Sequence, residues 1–561
     1  MKGKPAICLK EVWFRYRGFE TPALRGVEYG QEAGEFAVLA GRSGAGKSTL
    51  CKAIMGIVPT LQRGEMRGEV YVLGRGIAGF RPFSVSRWVG LVFQDFEAQL
   101  FSTSVELEVA FGPENLGLPR EEVGRRVRES LEAVGLEGFE RREPWTLSGG
   151  EKQRLAIASV LAMGPPVLVL DEPTTDIDPL GRDDVHMAVR ELRERGHTVL
   201  LVEHDVGEVE DADSLALMSE GKIVWKGKMG EAAPELLTSC GVRPPEAWAL
   251  ASSLGIPPAE PDKMASDIER LLGSKVERVR KRWEARRDTD NEVHGEVLLE
   301  MEDVRYSYPS SGGEALRGIS FEVRRGEFSA VLGPNGSGKS TLAKLMAGLL
   351  KPSSGRVRFR GGPVRPGEVG YVFQNPDQQL FAPTVWDEVA FGPKSQGLSE
   401  EALEEAVGEA LEAVGLSTYG GRDPFSLTRG ERQRIAVASV LACSPEVLIL
   451  DEPTTGLDYE EQKRMMAFLE KWNLRGGTVV LITHSMWVAA RYARRCIVLR
   501  EGEVVADGPT REVFRRKELL RSAHLKPPFV TQLGDRLGMP FLSVEEALRA
   551  FKGDVYAPIP G

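Results

Sequence analysis

The chain has 561 residues, 42% of them hydrophobic and 27% charged, with a formal net charge of −10. That length accommodates two or more domains with cores of their own, and the composition is that of an ordinary soluble globular protein. The acidic balance gives no electrostatic case for a nucleic-acid binder, and no apolar run approaches the ~20 residues of a membrane helix. Cys8, Cys51, Cys240, Cys443 and Cys496 are scattered without a CxxC pair, which argues against a disulfide framework or zinc knuckle and fits a reducing compartment.

In chain order, a strand is expected in ICLKEVWFRY, from Ile7 to Tyr16. A second apolar strand, Phe36 to Ala40, runs into the glycine loop GRSGAGKST, Gly41 to Thr49, and then into a helix. Lys47 to Gln94 spans 47 residues where Lys339 to Gln374 of the second copy spans 35, and the extra dozen, around Pro59 to Phe83, is expected as a surface loop. VLVL, ending at Asp171, and TVLLVEH, ending at His204, read as strands buried on both faces. Gly241 to Pro257 reads as a small helical appendage. Beyond it Ile268, Leu271, Leu272, Val276, Val279 and Trp283 fall at near-helical spacing, within a segment rich in Lys and Arg from Lys275 to Arg287. That segment is read as a solvated tether helix with one packed apolar stripe, the alternative being a membrane-surface or nucleic-acid contact.

The pattern then repeats. LEMEDVRYSY opens a second copy; Phe328 to Leu332 leads into GPNGSGKST, Gly333 to Thr341, and VLIL ends at Asp451. Gln94 to Gln374, Asp171 to Asp451 and His204 to His484 are each separated by 280 residues, so a whole domain is duplicated. Leu525 to Pro540 repeats the appendage. Strands alternating with helices predict an α/β fold with a mainly parallel sheet in each copy. The expected organisation is a first domain over 1–230, an appendage and charged linker over 231–296, a second domain over 297–508 and a second appendage over 509–561.

The glycine loops carry the chemistry. In GxxxxGK[ST] successive backbone N–H groups at a helix N-terminus cradle phosphate oxygens, and glycine is needed where the backbone approaches closely or takes positive φ. The first loop supplies Gly41, Ser43, Gly44, Gly46, Lys47, Ser48 and Thr49; the second supplies Gly333, Asn335, Gly336, Gly338, Lys339, Ser340 and Thr341. Lys47 and Lys339 are expected to reach the β- and γ-phosphates of ATP, and Ser48 and Ser340 to hold Mg²⁺. Asp171 and Asp451 end apolar strands, where a carboxylate orients the Mg²⁺ shell. Glu172 and Glu452 follow and are placed to polarise an attacking water. His204 and His484 are placed to touch the γ-phosphate; the other four histidines, His186, His197, His294 and His524, default to surface or packing roles.

Leu147-Ser148-Gly149-Gly150-Glu151-Lys152-Gln153-Arg154 resembles the signature motif of ABC-type ATPases. The resemblance implies two tandem P-loop ATPase domains, each with a mainly parallel core sheet, an antiparallel β subdomain and a helical subdomain. It makes Gln94 and Gln374 the Q-loop residues, which also sense Mg²⁺, and makes Asp178 and Asp458 the D-loop aspartates. Tyr16 and Tyr308 resemble the aromatic residue that stacks on adenine, and are equally compatible with packing. In this family each ATP lies between the glycine loop of one domain and the signature of the other. The signatures here contribute Ser148, Gly149 and Gly150, and Thr428 and Gly430. The second departs from the pattern, because Arg429 replaces Gly149; the site built on Lys47 is therefore expected to turn over more slowly. Asp176 likewise stands where the second copy has Gly456.

The segments QDFEAQLFSTSVELEVAFGPENLGL and QNPDQQLFAPTVWDEVAFGPKSQGL resemble those of ATPase subunits of energy-coupling-factor (ECF) importers and the related cobalt and nickel importers. What this implies is an ATP-hydrolysing subunit peripheral to the cytoplasmic face of the cell membrane. Its partners would be transmembrane scaffold and substrate-binding subunits, and Glu97 and Asp377 would offer charge to a basic partner residue. Its cargo would be a vitamin, a vitamin precursor or a transition-metal ion. The two ATPase domains would pair within one chain or between two. The competing reading is a soluble twin ATPase acting on ribosomes or nucleic acid.

Overall fold

The computed structural model describes residues 5–175, 177, 179–285, 295–309 and 313–552. The chain separates into two compact units, Met1–Trp248 with Asp458–Glu460, and Ala249–Leu457 with Glu461–Gly561.

In the first unit the strands are β1 (Ile7–Tyr16), β2 (Leu24–Gln31), β3 (Phe36–Gly41), β4 (Gly64–Val72), β5 (Arg75–Gly76), β6 (Val89–Val92), β7 (Val167–Asp171), β8 (Thr198–Val202), β9 (Ser214–Ser219) and β10 (Lys222–Lys228). An antiparallel sheet has the order β2-β1-β4-β5, and a six-stranded sheet the order β10-β9-β3-β8-β7-β6. The latter is parallel except for the β9–β10 hairpin. Every residue of β3, β7 and β8 is buried, as their uninterrupted apolar text requires of strands covered on both faces. This strand order sets the C-terminal ends of β3, β8, β7 and β6 side by side, where open α/β sheets place their ligands.

The second unit repeats this plan with β11 (Val297–Ser307), β12 (Glu314–Arg324), β13 (Phe328–Leu332), β14 (Ser354–Phe359), β15 (Gly362–Pro363), β16 (Gly370–Val372), β17 (Val447–Asp451), β18 (Thr478–Ile482), β19 (Arg495–Arg500) and β20 (Glu503–Pro509). The sheet orders are β12-β11-β14-β15 and β16-β17-β18-β13-β19-β20. Each unit is thus an α/β domain carrying a mostly parallel sheet, an antiparallel sheet and helices.

Two expectations are revised. The stretch Pro59 to Phe83 is not a plain surface loop. It contains β4 and β5, and Val70, Val72 and Ile77 are buried in the core shared by the two sheets. Short apolar positions between glycines conceal strands from a reading by periodicity. The expected tether helix is two helices, Pro261–Leu272 and Val276–Ala285, separated by Gly273 at φ +53°. Their stripe, Met264, Ile268, Val279 and Trp283, is buried against Val530, Leu533, Leu537 and Phe541 of the chain's C-terminal appendage. Leu271 is exposed. Arg286 and Arg287, at the end of the basic segment, lie outside the described residues, as does His294.

Candidate functional site

Each glycine loop joins a buried strand to a helix, Lys47–Ile54 in the first unit and Lys339–Met346 in the second. Neither helix has a side-chain cap; Gly46 and Gly338 occupy the N-cap in the left-handed region at φ +102° and +98°. The first-turn N–H groups are therefore left to an anion. A Cβ on Gly46 would lie 2.5 Å from the Ala23 carbonyl oxygen, so only glycine fits that turn. Lys47 is buried and donates to the Gly41 and Arg42 carbonyls at 2.9 and 3.0 Å. Lys339 donates likewise to Gly333 and Pro334, both at 2.8 Å. The Tyr16 hydroxyl lies 3.1 Å from Thr49 Oγ1 and that of Tyr308 3.0 Å from Thr341 Oγ1, which sets both rings beside their loops.

At the end of β7 the Asp171 carboxylate accepts from Ser48 Oγ at 3.2 Å. Burial, and then the neighbouring Glu172 charge, push Asp171 up to about 6. Glu172 behaves oppositely: burial works against its charge, but His204 and Lys47 outweigh burial and hold it down to about 2. His204 Nε2 is 2.8 Å from Glu172, Lys47 Nζ 3.4 Å, and Gln94 Nε2 donates to it at 2.9 Å. Three of the sequence-predicted residues, His204, Lys47 and Gln94, thus converge on the ionised Glu172 carboxylate, the four groups being delivered by the adjacent ends of β3, β6, β7 and β8. Glu172 and Glu452 both take positive φ, +52° and +48°. For non-glycine residues such a backbone costs ~1–3 kcal/mol and is characteristic of functional sites.

The second site has the same plan with different bonds. His484 Nδ1 lies 2.8 Å from Glu452, and the Thr455 hydroxyl donates to that carboxylate at 3.4 Å. Burial opposes the Glu452 charge, and His484 and Lys339 more than offset it, lowering its pKa. Burial raises Asp451. Tyr371, on β16, donates its hydroxyl to Asp451 Oδ2 at 3.0 Å. Sequence reasoning missed that donor; its only signal was a tyrosine in an apolar strand where the first copy has Leu91. Gln374 is exposed beyond the end of β16.

The donor sets fit a magnesium ion. Asp451 Oδ1 is buried without a hydrogen-bond partner, next to the loop that carries Ser340. Among the described residues no group of three or more His, Cys, Asp or Glu side chains could cage a metal alone. Magnesium is commonly held by one or two carboxylates together with substrate phosphates, and this arrangement suits it.

Both signature segments begin helices through capping boxes. Ser148 pairs with Glu151 and Thr428 with Glu431, at the starts of Gly149–Leu161 and Arg429–Leu441. A Cβ on Gly149 would meet nothing within 4 Å. Arg429, at the equivalent position, turns its guanidinium back over its own unit: a Cβ on Gly456 would lie 2.7 Å from Arg429 Cζ. Gly430 packs against the Glu461 carboxylate, whose Oε1 lies 2.2 Å from where a Cβ would stand, so a side chain there would have to displace that carboxylate. Asp176 and Asp178 lie outside the described residues.

The acidic residues after each glutamine are engaged within their own units. Glu97 pairs with Lys152 at 2.5 Å and Asp377 with Arg432 at 2.7 Å, both cations on signature helices. Both carboxylates stay exposed all the same, Glu97 at 62% and Asp377 at 46%. These segments also present apolar side chains. Phe101 and Phe111 stack edge to face at 4.7 Å while 63% and 48% exposed. Phe381 and Phe391 do the same at 4.8 Å while 61% and 54% exposed.

A model of the ABC transporter family matches residues 24–175 and 316–455. A protein of Caldanaerobacter subterraneus subsp. tengcongensis, assigned as an ABC transporter ATP-binding protein, is 46% identical over 97% of this chain and 99% of its own length. One from Methanosarcina acetivorans with the same assignment is 40% identical over 94% of this chain and 90% of its own. The solved cbiO1 structure from Clostridium perfringens, described as part of the ABC transporter complex cbiONQ, is 38% identical. It covers 40% of this chain and 94% of its own, with a TM-score of 0.37.

Proposed function

Because this chain belongs to the ABC transporter family, as an ATP hydrolase with two ATP-binding domains in tandem, we propose that it powers a membrane importer of the ECF type. The cargo would be a vitamin, a vitamin precursor or a transition-metal ion. The observation that carries this reading is the pair of exposed phenylalanines after each glutamine. Exposed, paired aromatic side chains a few residues after a nucleotide sensor are hot-spot material for a helix of a membrane partner. Among the described residues no helix is long and apolar enough to cross a membrane, so the partner would supply the spans. The chain would work peripherally at the cytoplasmic face.

In this reading each ATP is bound by one glycine loop with Mg²⁺ on Ser48 and Asp171, or on Ser340 and Asp451. Bound magnesium neutralises phosphate charge. Glu172 and Glu452 hold the attacking water, while His204 and His484 orient these carboxylates and face the γ-phosphate. The nucleotide is completed by the signature of the other domain, within the chain or from a second copy. Binding therefore favours an apposed state that hydrolysis releases.

Purification of the tagged full chain from native membranes tests the proposal. Integral membrane subunits are expected to co-purify, and Phe101→Asp with Phe381→Asp to release them, since charging an aromatic anchor that the partner would cover costs about 2 kcal/mol or more. Recovery with ribosomes or nucleic acid, and with no membrane protein, would replace it by the soluble twin-ATPase reading.

A further inference from the structure

Behind the first unit's His204 lies a set of charged groups that the second unit lacks. Glu203, the preceding residue, is 5% exposed. Its Oε1 accepts from the Thr174 hydroxyl at 2.5 Å, and its Oε2 accepts from the backbone N–H of His204 at 3.2 Å. The buried His186 brings Nε2 to 3.7 Å from Oε1, an ion-pair separation at which Nε2 makes no hydrogen bond. Thr174 follows the Asp171-Glu172 pair by two residues, and His186 belongs to the helix Pro179–Glu194. Nearby, Arg182 donates to Glu208 at 3.1 Å and Arg243 to Asp205 at 2.9 Å. One short segment, Glu203 to Glu208, is thereby tied to the exit of β7, to a helix and to the appendage.

The duplication provides an internal control. At the same 280-residue offset the second copy has Thr483 for Glu203, Met466 for His186, Gln462 for Arg182 and Val488 for Glu208. Thr483, Met466 and Val488 are fully buried and uncharged. Gln462 keeps the scaffold role, donating to the Leu457 carbonyl at 2.9 Å as Arg182 does to Ile177 at 3.0 Å. The fold therefore does not need these charges, and maintaining them in the first unit is costly unless they are paired.

We propose that Glu203, clamped between Thr174 and His186, is a positioning residue for His204, and that the His186–Glu203 pair makes hydrolysis in the first unit alone sensitive to pH. The inference rests on reading His204 as the group that orients Glu172 toward the nucleotide. Burial disfavours charge on His186, but the Glu203 carboxylate overcomes this and raises its pKa above the ordinary histidine value. Glu208 faces the ring from the same segment, and Arg190 and Arg182 lie on its own helix. A histidine raised on folding contributes its stabilisation fully below its unfolded pKa of about 6.5 and loses it as pH climbs through the folded value. The clamp is therefore closed on the acidic side and opens toward alkaline pH.

The test uses the full chain with Glu452→Gln, first-unit turnover being the part of the remaining ATP hydrolysis that a further Glu172→Gln abolishes. Between about pH 6 and about pH 8.5, first-unit kcat is expected to fall about tenfold further with His186 present than in His186→Met, the size of a lost charge-assisted contact. Glu203→Thr should show the same flattened profile. With Glu172→Gln as background, His186→Met should leave the second unit's profile unchanged. A measurement independent of catalysis is the thermal unfolding midpoint, whose loss between the same two pH values should be smaller in His186→Met. If His186→Met does not fold, His186→Gln takes its place. A folded variant with the parental pH profile and the parental pH dependence of unfolding overturns the proposal. Unfolding that responds while kcat does not would keep the ion pair but refute the positioning role of Glu203.

Discussion

Replacing Glu172 or Glu452 by glutamine keeps the side chain's shape and removes its charge. Glu172 is ionised because His204 at 2.8 Å and Lys47 at 3.4 Å hold its carboxyl down to about 2. A glutamine there can still accept from Gln94, but it cannot take a proton from water. Loss of a positioned base costs 10²–10⁴ in rate, roughly 3–5 kcal/mol of barrier. The double variant should therefore hydrolyse ATP at least about a hundredfold more slowly in single-turnover assays, with nucleotide affinity changed only severalfold. The single variants should differ. Arg429 folds back over Gly456 instead of leaving the open space found at Gly149. If one backbone contact to phosphate is lost there, the nucleotide held by Lys47 turns over ~10²–10³ more slowly. Glu452→Gln would then remove most turnover and Glu172→Gln little of it. Equal damage from the two single changes would end the asymmetry, and a double variant hydrolysing at the parental rate would refute the assignment of both carboxylates.

Packing sets two further outcomes. Trp283 is buried, meets Phe541 edge to face at 4.8 Å, and lies under Arg511 at 5.0 Å. Trp283→Ala should cost the second unit ~3–5 kcal/mol, read from the denaturation midpoint, and a shift under about 1 kcal/mol would mean that the appendage cluster is not cooperative with the unit. Tyr371→Phe removes the hydroxyl that Asp451 Oδ2 accepts from, leaving a buried acceptor short of a partner at a cost of ~1–3 kcal/mol. Thermal unfolding should register that cost, and magnesium-dependent nucleotide binding at the second site should need several times more magnesium. Unchanged values for both would assign Tyr371 to packing alone.

By itself the sequence determined whatever depends on local pattern. The strands of the parallel sheets could be read from apolar text such as VLVL and VLIL because both their faces are covered. The glycine loops could be read because left-handed φ and close backbone approach admit no other residue at Gly46 or Gly338. The duplication followed from motifs repeated at two offsets, 292 residues for the glycine loops and 280 from each glutamine onward, and the candidate site residues were read from those motifs. Tertiary structure alone decided which groups meet. Periodicity carries no information on partners far apart in the chain, so Tyr371 on Asp451 was invisible, and so was Glu203 between Thr174 and His186. The same limit hid the partners of Glu97 and Asp377, each paired with a cation more than fifty residues away on a signature helix. It also made the stripe around Trp283 look like a tether, because the surface that buries it lies about 250 residues further along the chain. Local preferences are set by a residue's own backbone and neighbours; long-range pairs form only when folding brings distant elements together.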